Sequence, residues 1–240
     1  MTRLRKWQGI SLHQEALCRH RMIADIYAHA ERVDGDIQVL SYDVDASGVD
    51  LTLVSGPSVV PIQLKSVAVG TTTSRWDVRR EIPFPKNYSP LSEAILKPDG
   101  PATDGYDGAL VVQWLVLMDC EPWVDLWYSL ATLPLIFLRK HQRAAAIVRA
   151  CQDCPSSIEL LKGDLTPPLM IGELLWFLAG MDAESEVVGD STDPVAALTN
   201  GPILPDGSRG GDVAYARQTL RTIEARARVR WAAHMKEVSR

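Results

Sequence analysis

No stretch of this 240-residue chain holds the roughly 18 consecutive apolar residues that a membrane-spanning helix needs. The longest runs, Gly108 to Met118 and Leu130 to Leu138, fall well short. No apolar core follows the basic N-terminal stretch MTRLRKWQGISLHQ, so no secretory signal is visible and a cytoplasmic location is expected. Cysteine is scarce. Cys151 and Cys154 form a lone CxxC, and no second CxxC or HxxxH exists to complete a zinc site. The pair follows a helical run instead of opening a helix after a strand, so it reads as structural, as do Cys18 and Cys120. There is no Ser or Cys nucleophile elbow. The five histidines (His13, His20, His29, His141, His234) are scattered over helical positions and none is assigned a role. An internal repeat is also missing, and so is any excess of positive charge, the net being −5.

What is present is ordinary in bulk and uneven in detail. Hydrophobic residues make up 46% and charged residues 23% of the chain, enough for a sizeable core in one large domain or a domain and a half. Only acids occur from Asp34 to Asp50 and from Asp99 to Asp125. The bases collect at the N-terminus, between Lys65 and Lys97, and in the last stretch, RQTLRTIEARARVRWAAHMKEVSR. Local basic surface can contact phosphates even on an acidic protein. Arg217, Arg221, Arg228 and Lys236 are therefore candidate nucleic-acid contacts; the plainer reading is a solvated helix face.

Ser11-Leu-His-Gln14 has the S-x-x-Q form of a capping box and predicts a helix to about Arg32. Its apolar stripe runs through Leu12, Ala16, Met22, Ile23, Ile26, Tyr27 and Ala30. Glu15 lies on that stripe, either as a functional acid or as a first-turn carboxylate favoured by the helix dipole. Strands are predicted at Gln38 to Asp43, at two segments between Gly48 and Ser66, at Gly108 to Met118 and at Trp123 to Leu130. A polar excursion from Gly70 to Asp107 carries a short helix near Leu91 to Leu96. Helices follow Pro134, then a Gly/Pro-rich linker over 189–212, then a final helix from Val213 to Val238. This order predicts an α/β core over 1–130, a helical extension over 131–188 and a basic helix over 213–240. Trp176 and Phe177 read as core of the helical half, or as a dimer face.

The segment GVDLTLVSGPSVVPIQLKS (48–66) places three polar side chains in two oily strands. If Ser55-Gly-Pro-Ser58 is a hairpin loop, Val54 pairs with Val59, and counting outward sets Asp50 opposite Gln63. Lys65 then shares their face, because alternate strand residues point the same way. An aspartate and an amide carbonyl offer hard oxygen ligands suited to Mg²⁺, and a nearby lysine can orient water or stabilise phosphate charge.

These residues, Asp50, then Gln63-Leu-Lys65, with an acid on the first helix, resemble the D…QxK subgroup of the PD-(D/E)XK nuclease superfamily. That subgroup occurs among Mrr-like restriction endonucleases, Holliday-junction-resolvase-like proteins and anti-phage endonuclease effectors. The resemblance spans about Ser11 to Met118. It implies a restriction-endonuclease-like αβββαβ core with a helical C-terminal appendage and metal-dependent DNA cleavage. It further implies that Asp50, Gln63 and Glu15 hold Mg²⁺ or Mn²⁺, with Lys65 in catalysis. The sequence does not fix an oligomeric state, although many enzymes that cut both strands work as symmetric homodimers. Three features depart from the pattern: Gln63 is neutral, Pro61 lies within the motif strand, and Val49 stands where a proline usually precedes the aspartate. The alternative expectation is a catalytically silent nuclease-like fold that binds a nucleic acid or a partner.

Overall fold

The computed structural model describes residues 11–41, 48–85, 104–117, 124–153, 156–179 and 213–238. The side chains of 11–14, 117, 124 and 213–215 lie outside that description, and so do the expected capping box, the short helix at 91–96, the linker, Cys120 and Cys154.

Helix α1 (Ser11–Arg32) leads into strand β1 (Gln38–Ser41) and the hairpin β2 (Leu51–Ser55) and β3 (Ser58–Ala68). Then come β4 (Arg75–Arg79), β5 (Ala109–Leu117) and β6 (Val124–Ala131). Helices α2 (Leu133–Arg139) and α3 (His141–Asp153) precede β7 (Ser157–Leu161) and a 3₁₀ turn, Lys162–Asp164. Helices α4 (Ile171–Ala179) and α5 (Val213–Val238) follow. The result is an α/β fold around a mixed five-stranded sheet, in the order β1-β2-β3-β5-β6. Only β3 and β5 run parallel within it.

The hairpin register is the expected one, with Val54 opposite Val59, and the ladder runs one pair further than expected, to Ser55 opposite Ser58. Gly56, at the turn, takes φ 53°, a conformation that glycine adopts without a Cβ penalty. Pro61 is accommodated by position. The β3–β5 ladder begins only at Ile62 opposite Ala109, so Pro61 lies before its start and its missing N–H is not needed there.

Both faces of the sheet are covered, which explains the nearly unbroken apolar run of β5. On one face Cys18, Met22 and Ile26 of α1 and Leu174 to Leu178 of α4 pack on Leu51, Leu53, Ile62 and Val111. On the other, Trp76 and Val78 of β4, Ile158 and Leu160 of β7 and Val148 of α3 cover Val112, Trp114 and Val116. Fully burying each large apolar side chain contributes about 1.5–3 kcal/mol. Trp176 and Phe177 are buried in the first of these clusters, which makes them core and not a dimer face.

Three local expectations are corrected. Strand β4 sits inside the polar excursion, and it pairs with β7, which lies in the stretch expected to be a loop between two helices. Tyr27 is exposed, whereas His29 takes a buried place on α1. Glu15 is exposed too, because the stripe that packs inward runs through Cys18, Met22 and Ile26.

Candidate functional site

The motif segment begins with Gly48 at φ 74°, the left-handed region. A Cβ there would stand 2.2 Å from Arg79 Cγ, so conformation and space both require glycine. Two residues on, the ladder changes step. Leu51 pairs with Ile62, and the Asp50 amide also donates to the Ile62 carbonyl, at 2.9 Å. Two residues therefore stand against one, the count of a β-bulge. Asp50 consequently shares the face of Leu51 and does not stand opposite Gln63 as a cross-strand partner. Its Oδ2 accepts the Leu64 amide at 2.6 Å, taking the place of a backbone carbonyl at the end of β2. A hydrogen bond to a charged group of this kind contributes about 1.5–3 kcal/mol.

Gln63 faces the other way. It is buried, and its Oε1 accepts the Arg79 amide of β4 at 3.1 Å. Alternation puts Lys65 on that same face, beside Val67, which packs in the cluster of Trp76 and Val78. Leu64 and Ser66 point to α1. Asp50 and Gln63–Lys65 are thus divided between the two faces of β3.

Asp50 instead lines a cavity of about 200 Å³ with Glu15, Arg19, Ser66 and Gln113. The Ser66 hydroxyl donates to Gln113 Oε1 at 2.9 Å, and Gln113 Nε2 donates to the Cys18 carbonyl at 2.9 Å. Burial pushes the Cys18 thiol up from its ordinary value, so it stays protonated beside this network. Arg19, Ser66 and Gln113 were not singled out in the sequence. Gln113, the one polar residue within ALVVQWLVL, carried the signal.

Of the donors that the resemblance implies for a cation, Glu15 and Asp50 line one cavity and Gln63 does not. Mg²⁺ is usually bound through one or two carboxylates and keeps several waters. Two carboxylates share the cavity, but the Gln63 oxygen is engaged elsewhere, Asp50 Oδ2 holds the Leu64 amide, and Arg19 adds positive charge to the same wall. Among the described residues, no three His, Cys, Asp or Glu side chains come together.

The candidate nucleic-acid residues also divide. Arg221, Arg228 and Lys236 are exposed on α5. Arg217 is partly buried, and its Nε donates to the Leu138 carbonyl at 2.9 Å, fastening α5 to α2. Arg228 reaches Glu224 Oε2 at 3.1 Å. No helix among the described residues is long and apolar enough to cross a membrane.

No family model, curated protein or solved structure matches this chain.

Proposed function

We propose that the chain is a nucleic-acid-binding module whose core is nuclease-like but catalytically silent. The division of Asp50 from Gln63 and Lys65 across β3 carries this proposal. Two of the three polar groups are used in holding the fold, Asp50 on the Leu64 amide and Gln63 on the Arg79 amide. DNA is the proposed partner. Its backbone would follow the exposed cations of α5, a helix with six bases and two acids. Arg221, Arg228 and Lys236 then act as phosphate contacts.

Labelled DNA duplex titrated at several salt concentrations tests the binding. Replacing Arg221 and Lys236 with alanine should flatten the slope of log affinity against log salt by about one for each phosphate that is no longer neutralised. A wild type that fails to bind DNA at low salt would overturn the assignment. One observation favours a second reading, a metal-dependent DNA endonuclease of the restriction or anti-phage kind: Glu15 and Asp50 do line one cavity. Cleavage in Mg²⁺ or Mn²⁺ that disappears in Asp50→Ala would establish that reading in place of the first.

A further inference from the structure

A second and larger cavity lies on the opposite side of the sheet, among β5, the 3₁₀ turn and α5. It measures about 520 Å³ and is lined by Trp114, Arg139, Lys140, Lys162, Arg228 and Trp231, among others. We infer that it is a binding site for a nucleoside phosphate. The inference does not rest on the proposed DNA contacts: of those residues only Arg228 lines the cavity, and the cations that carry the argument are Arg139, Lys140 and Lys162.

Four cations line the cavity with one carboxylate, Glu224, on a chain whose net charge is −5. Glu224 is buried and orients two of the cations. Arg139 Nε donates to its Oε1 at 2.5 Å, and Arg228 Nη2 donates to its Oε2. Arg139 Nη1 donates to the Asp164 carbonyl at 2.7 Å, whereas Nη2 is buried without a hydrogen-bond partner. Lys140 and Lys162 are exposed and make no ion pair among the described residues. An arginine held from one edge, next to two lysines, is the donor set that phosphate oxygens match.

A bare anion would leave the rest of the wall unused. Trp114 is fixed by its indole N–H, which donates to Ser129 Oγ at 2.8 Å. Lys162 Nζ stands 5.4 Å from the Trp114 ring centroid, so cation and aromatic surface are adjacent. Trp231 is braced edge-on by Trp127, with centroids 5.2 Å apart. Leu165, Pro167 and Pro168 complete an apolar side. A ligand that satisfies both halves has a flat ring and a negatively charged group. The volume lies within the ~300–1,000 Å³ usual for small-molecule sites. A nucleoside phosphate has this shape and charge, its base against indole and its phosphate among the cations.

Titration of the full chain with AMP, GMP, CMP and UMP, by calorimetry and tryptophan fluorescence, tests the site, with adenosine and inorganic phosphate as separate arms. At least one nucleotide should saturate below millimolar concentration. Adenosine and phosphate alone should bind at least about tenfold more weakly than AMP, since each uses half the wall. Lys162→Glu, on an exposed turn, should weaken nucleotide binding by about tenfold or more with the melting temperature unchanged. Trp114→Phe keeps a ring in the core and should weaken it less. If no nucleotide saturates at millimolar concentration, the inference is wrong. It also fails if phosphate binds as tightly as AMP, or if Lys162→Glu has no effect. Loss of DNA binding with nucleotide binding intact would sink the proposed function alone.

Discussion

The two cavities on either side of the central sheet differ in how their charges are spent. Around Asp50 the hydrogen bonds serve the fold: the carboxylate closes the end of β2, and Ser66 and Gln113 form a chain to α1, while Glu15 and Asp50 share the wall with one cation, Arg19. Around Trp114 cations outnumber the single acid, and two lysines are unpaired among the described residues. A motif-like spacing locates polar residues, but the strand face that each one takes decides which of them meet.

The largest expected effect sharpens the second cavity. Arg139→Ala leaves the buried Glu224 carboxylate without its inward partner and should cost about 3–5 kcal/mol in urea unfolding. A loss below about 1 kcal/mol would mean that the Arg139–Glu224 pair does not hold α2 to α5. Next is Asp50→Ala, which strands the Leu64 amide and should cost about 1–3 kcal/mol, while DNA affinity stays as in the wild type. Asp50→Asn, which retains a carbonyl acceptor, should recover part of that stability. Gly48→Ala comes third, at about 1 kcal/mol or somewhat more, since alanine is strained at φ 74° and its Cβ would push the Arg79 side chain aside.

The smallest effect concerns pH. Burial raises the Glu173 carboxyl above its ordinary value of 4.5, although the Met170 amide and Arg230 pull it down. A group raised on folding binds its proton more readily in the folded state. Its contribution to stability is fully present below 4.5 and is lost as pH rises through the folded value. Melting curves across that window should therefore fall with pH more steeply in the wild type than in Glu173→Gln. Parallel profiles would remove Glu173 from the account.

Much of the fold was legible because periodicity and turn chemistry are local. The Ser55–Ser58 turn set the hairpin register, and α5 spans the expected Val213–Val238. The expected Asp50–Gln63 pairing failed at one residue. Counting outward from the turn assumed a regular ladder, and the doubled contact of Asp50 and Leu51 with Ile62 moved Asp50 to the other face. A bulge of this kind is not encoded in the spacing of the polar residues. Strands β4 and β7 were hidden by length. RWDVR and SIELL alternate correctly, with Trp76, Val78, Ile158 and Leu160 inward, but each offers only two buried positions. The Trp114 cavity draws on residues from Val69 to Trp231, so only tertiary structure assembles it.

The central claim is that the Asp50 segment holds the fold and does not cut. Supercoiled plasmid incubated with the wild type, Asp50→Ala and Lys65→Ala in Mg²⁺ and in Mn²⁺ tests it most directly. Unnicked plasmid in every lane, with DNA still shifted by the wild type in a binding gel, is the predicted result. Nicking by the wild type that is lost in Asp50→Ala and Lys65→Ala would contradict it.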